Sequence, residues 1–266
     1  MATGNVDQQD AMLAFDGYNP QPENDDDESG MSLVEHLEEL RWRIIKVLAA
    51  VVVTSIVAFV FRNWVVHLLE LPLPREANSI ARGDQPLVVT GLLEGFTVYL
   101  TISIVAGIVL ALPVLLYQTW AFIAPGLYEK EKKYAVPFIV VGVILFAAGI
   151  ALAYFVLRYP VEFFVTFGAS NFTELVSADS YFNFVAFFML AFGIVFELPL
   201  VLTFMALVDL ISLQTLTKKR AVAHIGLWIA SAVITPGADP YSPVILGVAM
   251  SFLYELTIIF IRIVKR

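Results

Sequence analysis

From Gly95 to Tyr128 the chain runs 34 residues without one charged side chain. That is long enough for a tilted helix across a lipid bilayer, followed by a turn at Pro125 and Gly126. Pro113 is expected to kink the helix. Four more runs resemble it. Ile44 to Phe61 is apolar apart from Lys46, whose long stem can carry its ammonium group out to the headgroups. Tyr134 to Leu157 has no charge, Tyr181 to Val208 is interrupted by Glu197 and Pro199, and Pro243 to Ile261 contains only Glu255. A shorter run lies between Arg220 and Asp239. The composition agrees, with 59% hydrophobic and 15% charged residues and a mean hydropathy of +0.80, where a soluble domain has roughly a quarter of its residues charged. The expected fold is an all-α integral membrane protein of six transmembrane helices.

The last two spans read as short. Only 18 residues separate Arg220 from Asp239, and Thr235 to Ala238 belong to a turn. A helix of about 14 residues spans roughly 21 Å, against a hydrocarbon core of about 30 Å. The sixth span runs up against Arg262, Lys265 and Arg266. Short helices thin the bilayer or sit behind their neighbours. Residues 62–94, with Pro72, Pro74, Gly83 and Pro86, read as a structured loop with some short helix, and Arg158 to Asp179 as a polar connection on the same side. Six crossings place both termini together. Twelve of the 16 Lys and Arg residues fall on that side, so the positive-inside rule puts both termini in the cytoplasm. No internal repeat is visible.

The net charge of −8 says little about partners, because residues 1–30 alone hold eight acids and no base. That tail is expected to be disordered, which leaves 31–266 as the membrane domain. No cysteine is present, which excludes disulfides and thiolate chemistry. His36, His67 and His224 fall at different depths, so no metal site is expected, and no cofactor or nucleic-acid partner either. No phosphate-binding glycine motif, HExxH or Ser/His/Asp arrangement is present, so the chain does not read as an enzyme.

Two stretches crowd acids against the membrane. SLVEHLEELRWR, residues 32–43, has Ser32 and Glu35 at capping-box spacing and Leu33, Leu37, Leu40 and Ile44 in one apolar stripe. Glu38, Glu39, Arg41 and Arg43 lie beside that stripe, with Glu39 and Arg43 spaced for a helical ion pair. The compact loop Glu129 to Lys133 is the second. Solvated interfacial charge explains both. So does a site for a cationic ligand, because carboxylates grip guanidinium through paired parallel hydrogen bonds that ammonium does not copy. Glu197 is a different case: an intramembrane acid is expensive and tends to face a bundle interior or cavity. Glu255 is read as structural, free to snorkel or pair with Arg262.

Four segments together resemble the TatC family of the twin-arginine protein translocase: SLVEHLEELRWR, LPVLLYQTWAFIAPGLYEKEKKY at 112–134, AFGIVFELP at 191–199 and TPGADPYSP at 235–243. The resemblance covers 31–266. It implies six helices in a cupped arrangement in the prokaryotic cytoplasmic membrane, whose cytoplasmic rim receives the paired arginines of an export signal peptide. By position in those motifs, Glu39 and Glu131 correspond to the carboxylates that contact the arginines. Leu40, Arg41, Arg43, Phe122, Pro125 and Lys133 correspond to positions that shape that surface. Glu197 corresponds to an intramembrane acid that contacts small single-span TatA- or TatB-type partners. Pro72 and Asp239 correspond to external structural or assembly positions. The resemblance also implies an oligomeric complex energised by the proton gradient. The alternative is a proton- or ion-coupled secondary transporter with Glu197 as coupling acid, which would call for further polar residues at matching depth and an internal repeat.

Overall fold

A backbone in lipid must satisfy its hydrogen bonds internally, and the charge-free runs do so as helices. The structure, a computed structural model, describes residues 33–73, 87–126, 135–167, 176–237 and 239–264. The 1–30 tail, Ser32 and the Glu129 to Lys133 loop lie outside the described residues. Two units are distinguished, Met1–Glu39 and Leu40–Arg266. In the first, the described residues are the opening turns of a helix in which His36 Nδ1 lies 3.7 Å from Glu39 Oε2.

The described helices are α1 (Leu33–Val60), α2 (Arg62–Glu70), α3 (Glu94–Ile123), α4 (Ala135–Val156), α5 (Arg158–Phe167), α6 (Ala178–Phe196), α7 (Leu198–Leu207), α8 (Leu213–Lys218), α9 (Arg220–Ile234) and α10 (Tyr241–Val264). A 3-10 turn, Ala124–Gly126, follows α3. Five stretches are long and apolar enough to cross a membrane: α1, α3, α4 with α5, α6 with α7, and α10. The chain is therefore a multi-pass, all-helical membrane protein.

The stretch before Ile44 is helical from Leu33 onward and continuous with the first apolar run in α1. Several expectations are corrected. Arg158 to Phe167 is helix α5 and extends the third apolar stretch. Its aromatic face carries Phe163, Phe164 and Phe167, a pattern that a count of charges misses. The last span is not short, because α10 has 24 residues, roughly 36 Å of helix. Its polar boundary residues cap or belong to the helix: Asp239 Oδ1 accepts from the Tyr241 and Ser242 N–H groups at 3.0 and 2.7 Å, and Arg262 sits in the last turn. Only α9, with 15 residues, remains short, so the idea of thinning rests on α9 alone.

The core is built on α6, which packs against α3 and α4. Val185, Phe188 and Phe192 of α6 are fully buried with Ala153 and Leu157. Apolar burial gives little drive between helices in lipid, so association depends on close packing and small residues. Gly149 and Gly193 supply this at the α4–α6 contact. A Cβ on Gly149 would stand 2.6 Å from the Phe192 carbonyl oxygen, and one on Gly193 would stand 2.7 Å from the Phe146 ring. α7 and α9 in turn pack on α10.

Where α3 and α6 begin, a single carboxylate joins them. Glu94 Oε2 accepts from Gly91 N–H at 2.8 Å and from the Thr90 hydroxyl at 2.9 Å. Its Oε1 accepts from the Ser177 hydroxyl at 2.7 Å and from Asp179 N–H at 3.2 Å. Val88 and Ser177 form a parallel bridge beside it.

Candidate functional site

The acids and bases before the first apolar run are placed by helix α1. Glu39 has a side chain 20% exposed and lies beside His36. Farther along, Leu40 and Arg43 are half-buried and Arg41 is exposed. Arg43 Nη1 donates to Gln118 Oε1 of α3 at 3.3 Å. That bond links α1 to α3 one helical turn before the half-buried Phe122, while Pro125 stands exposed in the 3-10 turn. Glu131 and Lys133 fall outside the described residues, so the described geometry joins Arg43 to the Phe122 end of α3 without reaching the second acid. Gln118 is a residue that sequence reasoning misses. Its signal is an amide inside an otherwise apolar helix, shortly before a proline-glycine break.

α1 meets α3 a second time, at mid-length. Thr54 Oγ1 donates to the Gly107 carbonyl at 2.8 Å. A Cβ on Gly107 would collide with Ser55 Oγ and lie 2.7 Å from the Ser55 backbone. Only glycine allows the two backbones so close.

Glu197 occupies the joint between α6 and α7. Its N–H bonds the Ile194 and Val195 carbonyls as α6 ends, and Pro199 follows in the first turn of α7. Both carboxylate oxygens are buried without a hydrogen-bond partner among the described residues. They line a recess of about 200 Å³ whose walls include Thr119, Trp120, Phe138 and Phe204. Trp120, Phe138 and Phe204 pack at centroid distances of 5.3 to 5.8 Å. An unsatisfied carboxyl in an apolar recess favours an incoming hydrogen-bonding group, because leaving such a group unpaired in a low-dielectric setting is expensive.

The remaining residues lie elsewhere. Pro72 is half-buried just after α2. Asp239, 3% exposed, caps α10. Glu255 is not paired with Arg262: it lies 3.2 Å from both Arg220 Nη2 and His224 Nε2 of α9. Arg262 is seven residues along the same helix, about two turns away, whereas α9 packs directly on α10. Among the described residues no group of His, Asp and Glu is arranged to hold a metal.

Comparison with known proteins adds to this geometry. The sequence model of the family described as Sec-independent protein translocase protein (TatC) matches residues 35–248. TatC of Desulforapulum autotrophicum is 37% identical over 239 residues, covering 89% of this chain and 86% of the relative. TatC of Escherichia coli is 32% identical over 237 residues, covering 88% and 90%. The crystal structure of a twin-arginine translocase receptor, TatC, superposes with a TM-score of 0.71 at 31% identity, covering 87% of this chain and all of that one. A multi-pass helical membrane protein alike in sequence and fold along nearly its whole described length, this chain belongs to the TatC family of Sec-independent protein translocase components.

Proposed function

We propose that the chain is the receptor of a twin-arginine translocase, and that it binds the paired arginines of a signal peptide through Glu39 and Glu131. The observation that supports this reading is the likeness, over 87% of the chain, to a solved twin-arginine translocase receptor. The chemistry is consistent with it. Two carboxylates on separate segments can each take one guanidinium through two parallel hydrogen bonds, which distinguishes Arg-Arg from Lys-Lys. Leu40, Arg41, Arg43, Phe122, Pro125 and Lys133 shape that surface, and the Arg43–Gln118 bond keeps α1 in register with the end of α3. Pro72 and Asp239 serve structure and assembly on the external side.

In this reading α9 is the sixth crossing, both termini face the cytoplasm of a prokaryotic inner membrane, and the basic residues follow the positive-inside rule. Glu197 receives a polar group from a TatA- or TatB-type single-span partner within an oligomeric complex driven by the proton gradient. The test is binding of Arg-Arg and Lys-Lys signal peptides to the purified protein and to its Glu39→Gln and Glu131→Gln variants. Each substitution is expected to weaken Arg-Arg binding by about tenfold or more, as loss of a charge-assisted pair implies, and to erase the preference over Lys-Lys. Unchanged affinity and discrimination would reject the assignment.

A further inference from the structure

Glu197 keeps both carboxyl oxygens buried and unpaired, and its neighbours explain why. On the α4 side stands Gly142, where an added Cβ would lie 3.2 Å from Glu197 Oε2 and 2.7 and 3.1 Å from the side-chain tips of Leu116 and Leu200. A glycine at this close approach brings no donor to the carboxyl. Leu116, Leu200 and Phe204 line the recess with hydrocarbon. Trp120 does carry an N–H, but its ring is buried against Phe138 and Phe204.

Thr119 of α3 lines the same recess and is exposed. Elsewhere in the bundle threonine hydroxyls turn back on their own helices: those of Thr54, Thr97, Thr166 and Thr257 donate to the carbonyls of Ala50, Leu93, Glu162 and Leu253 at 2.7 to 3.1 Å. Thr119 makes no such bond, and its hydroxyl has no hydrogen-bond partner among the described residues. Val201 of α7, on the same wall, is exposed as well, so the recess is open to the surface of the bundle. It therefore offers acceptor oxygens from the α6–α7 joint and a spare hydroxyl from α3, set among hydrocarbon. An uncharged side chain with both a donor and an acceptor can answer the two together. A hydrocarbon side chain answers neither, and a charged one would have to enter apolar walls at a cost.

We propose that Thr119 is a specificity-determining residue of this recess: its hydroxyl and the Glu197 carboxyl together take one uncharged side chain that donates and accepts, carried by a membrane-spanning helix. This rests on the reading of Glu197 as a partner contact and names what the partner must bring. The test uses the full chain in phosphatidylcholine vesicles with a dye-labelled synthetic single-span peptide of leucine and alanine, its association read by energy transfer. One glutamine is scanned along the peptide to match the depth of the recess, and the same peptide with leucine there is the reference. The best glutamine peptide is expected to bind about fivefold more tightly than its leucine reference, and Glu197→Leu to bring that ratio to one. Thr119→Val is expected to reduce the ratio to about twofold or less by weakening the glutamine peptide alone, while Thr119→Ser, which keeps the hydroxyl, retains it. A ratio unchanged in Thr119→Val, a loss as large in Thr119→Ser, or equal weakening of both peptides would overturn the role of Thr119 and leave the Glu197 contact standing. No preference in the parent protein, or one that survives Glu197→Leu, would overturn the Glu197 reading and this proposal with it.

Discussion

Helices α6 and α1 cross the same bilayer under opposite conditions. In its most apolar window the α6–α7 span is 44% buried, the α1 span 6%. α6 is gripped along its length by α3 and α4, through the Gly149 and Gly193 contacts and a ladder of phenylalanines. α1 has the same kind of sequence and shows most of it to the outside, with Leu48, Val52, Val53, Ile56 and Val60 all exposed. Its ties to α3 include the Arg43–Gln118 bond and the Thr54–Gly107 crossing. In lipid an apolar surface does not itself call for a protein partner. Hydropathy therefore fixes that both helices span, while the small and polar residues decide which one is held.

That contrast can be broken most forcefully at the α4–α6 contact. Gly149→Leu drives a side chain against the Phe192 carbonyl and the Phe196 ring. It is expected to lower stability by about 3 kcal/mol or more, read as loss of a monodisperse, cooperatively melting protein in detergent. If the protein tolerates it, α6 is not the rigid centre. Gly107→Leu is expected to have a smaller and more local effect of about 1–3 kcal/mol. Hydrogen exchange should rise in α1 while α6 stays protected, and signal-peptide affinity should fall with it. Equal loosening of α1 and α6 would show that α1 is as integral as the core. Thr54→Val removes only the hydroxyl that reaches Gly107, and the expected loss is about 1 kcal/mol with α1 still in place. A loss as large as that of Gly107→Leu would mean that the hydrogen bond, rather than the close approach, holds the crossing.

Much of the fold is legible in the sequence because a run of twenty or more uncharged, apolar residues suits a membrane crossing and little else. What escapes is decided by tertiary contacts. The length of α10 is easy to underestimate because Asp239 and Arg262 look like boundaries, whereas one is a cap and the other lies in the last turn. α5 reads as loop because Arg158 and Glu162 draw attention from its aromatic face. They pair at 3.6 Å across one turn of helix. The partners of Glu255 sit on another helix, beyond the reach of spacing rules. Glu94 goes unnoticed because its partner Ser177 lies on a segment far along the chain. The candidate site divides differently. The carboxyl of Glu197 in an apolar recess follows from the expense of burying an acid, but Glu39 and Glu131 are singled out by motif, since a charged surface residue has no unique physical reading.

The Glu94 carboxylate has a consequence for how the molecule is made. Its partner Ser177 lies 83 residues farther along the chain, so during synthesis the earlier span enters the membrane with one oxygen engaged by its own turn and the other waiting. The intervening apolar stretch must be threaded before the second set of donors arrives. The residue acts as a latch that clicks shut only when the later span has docked in register.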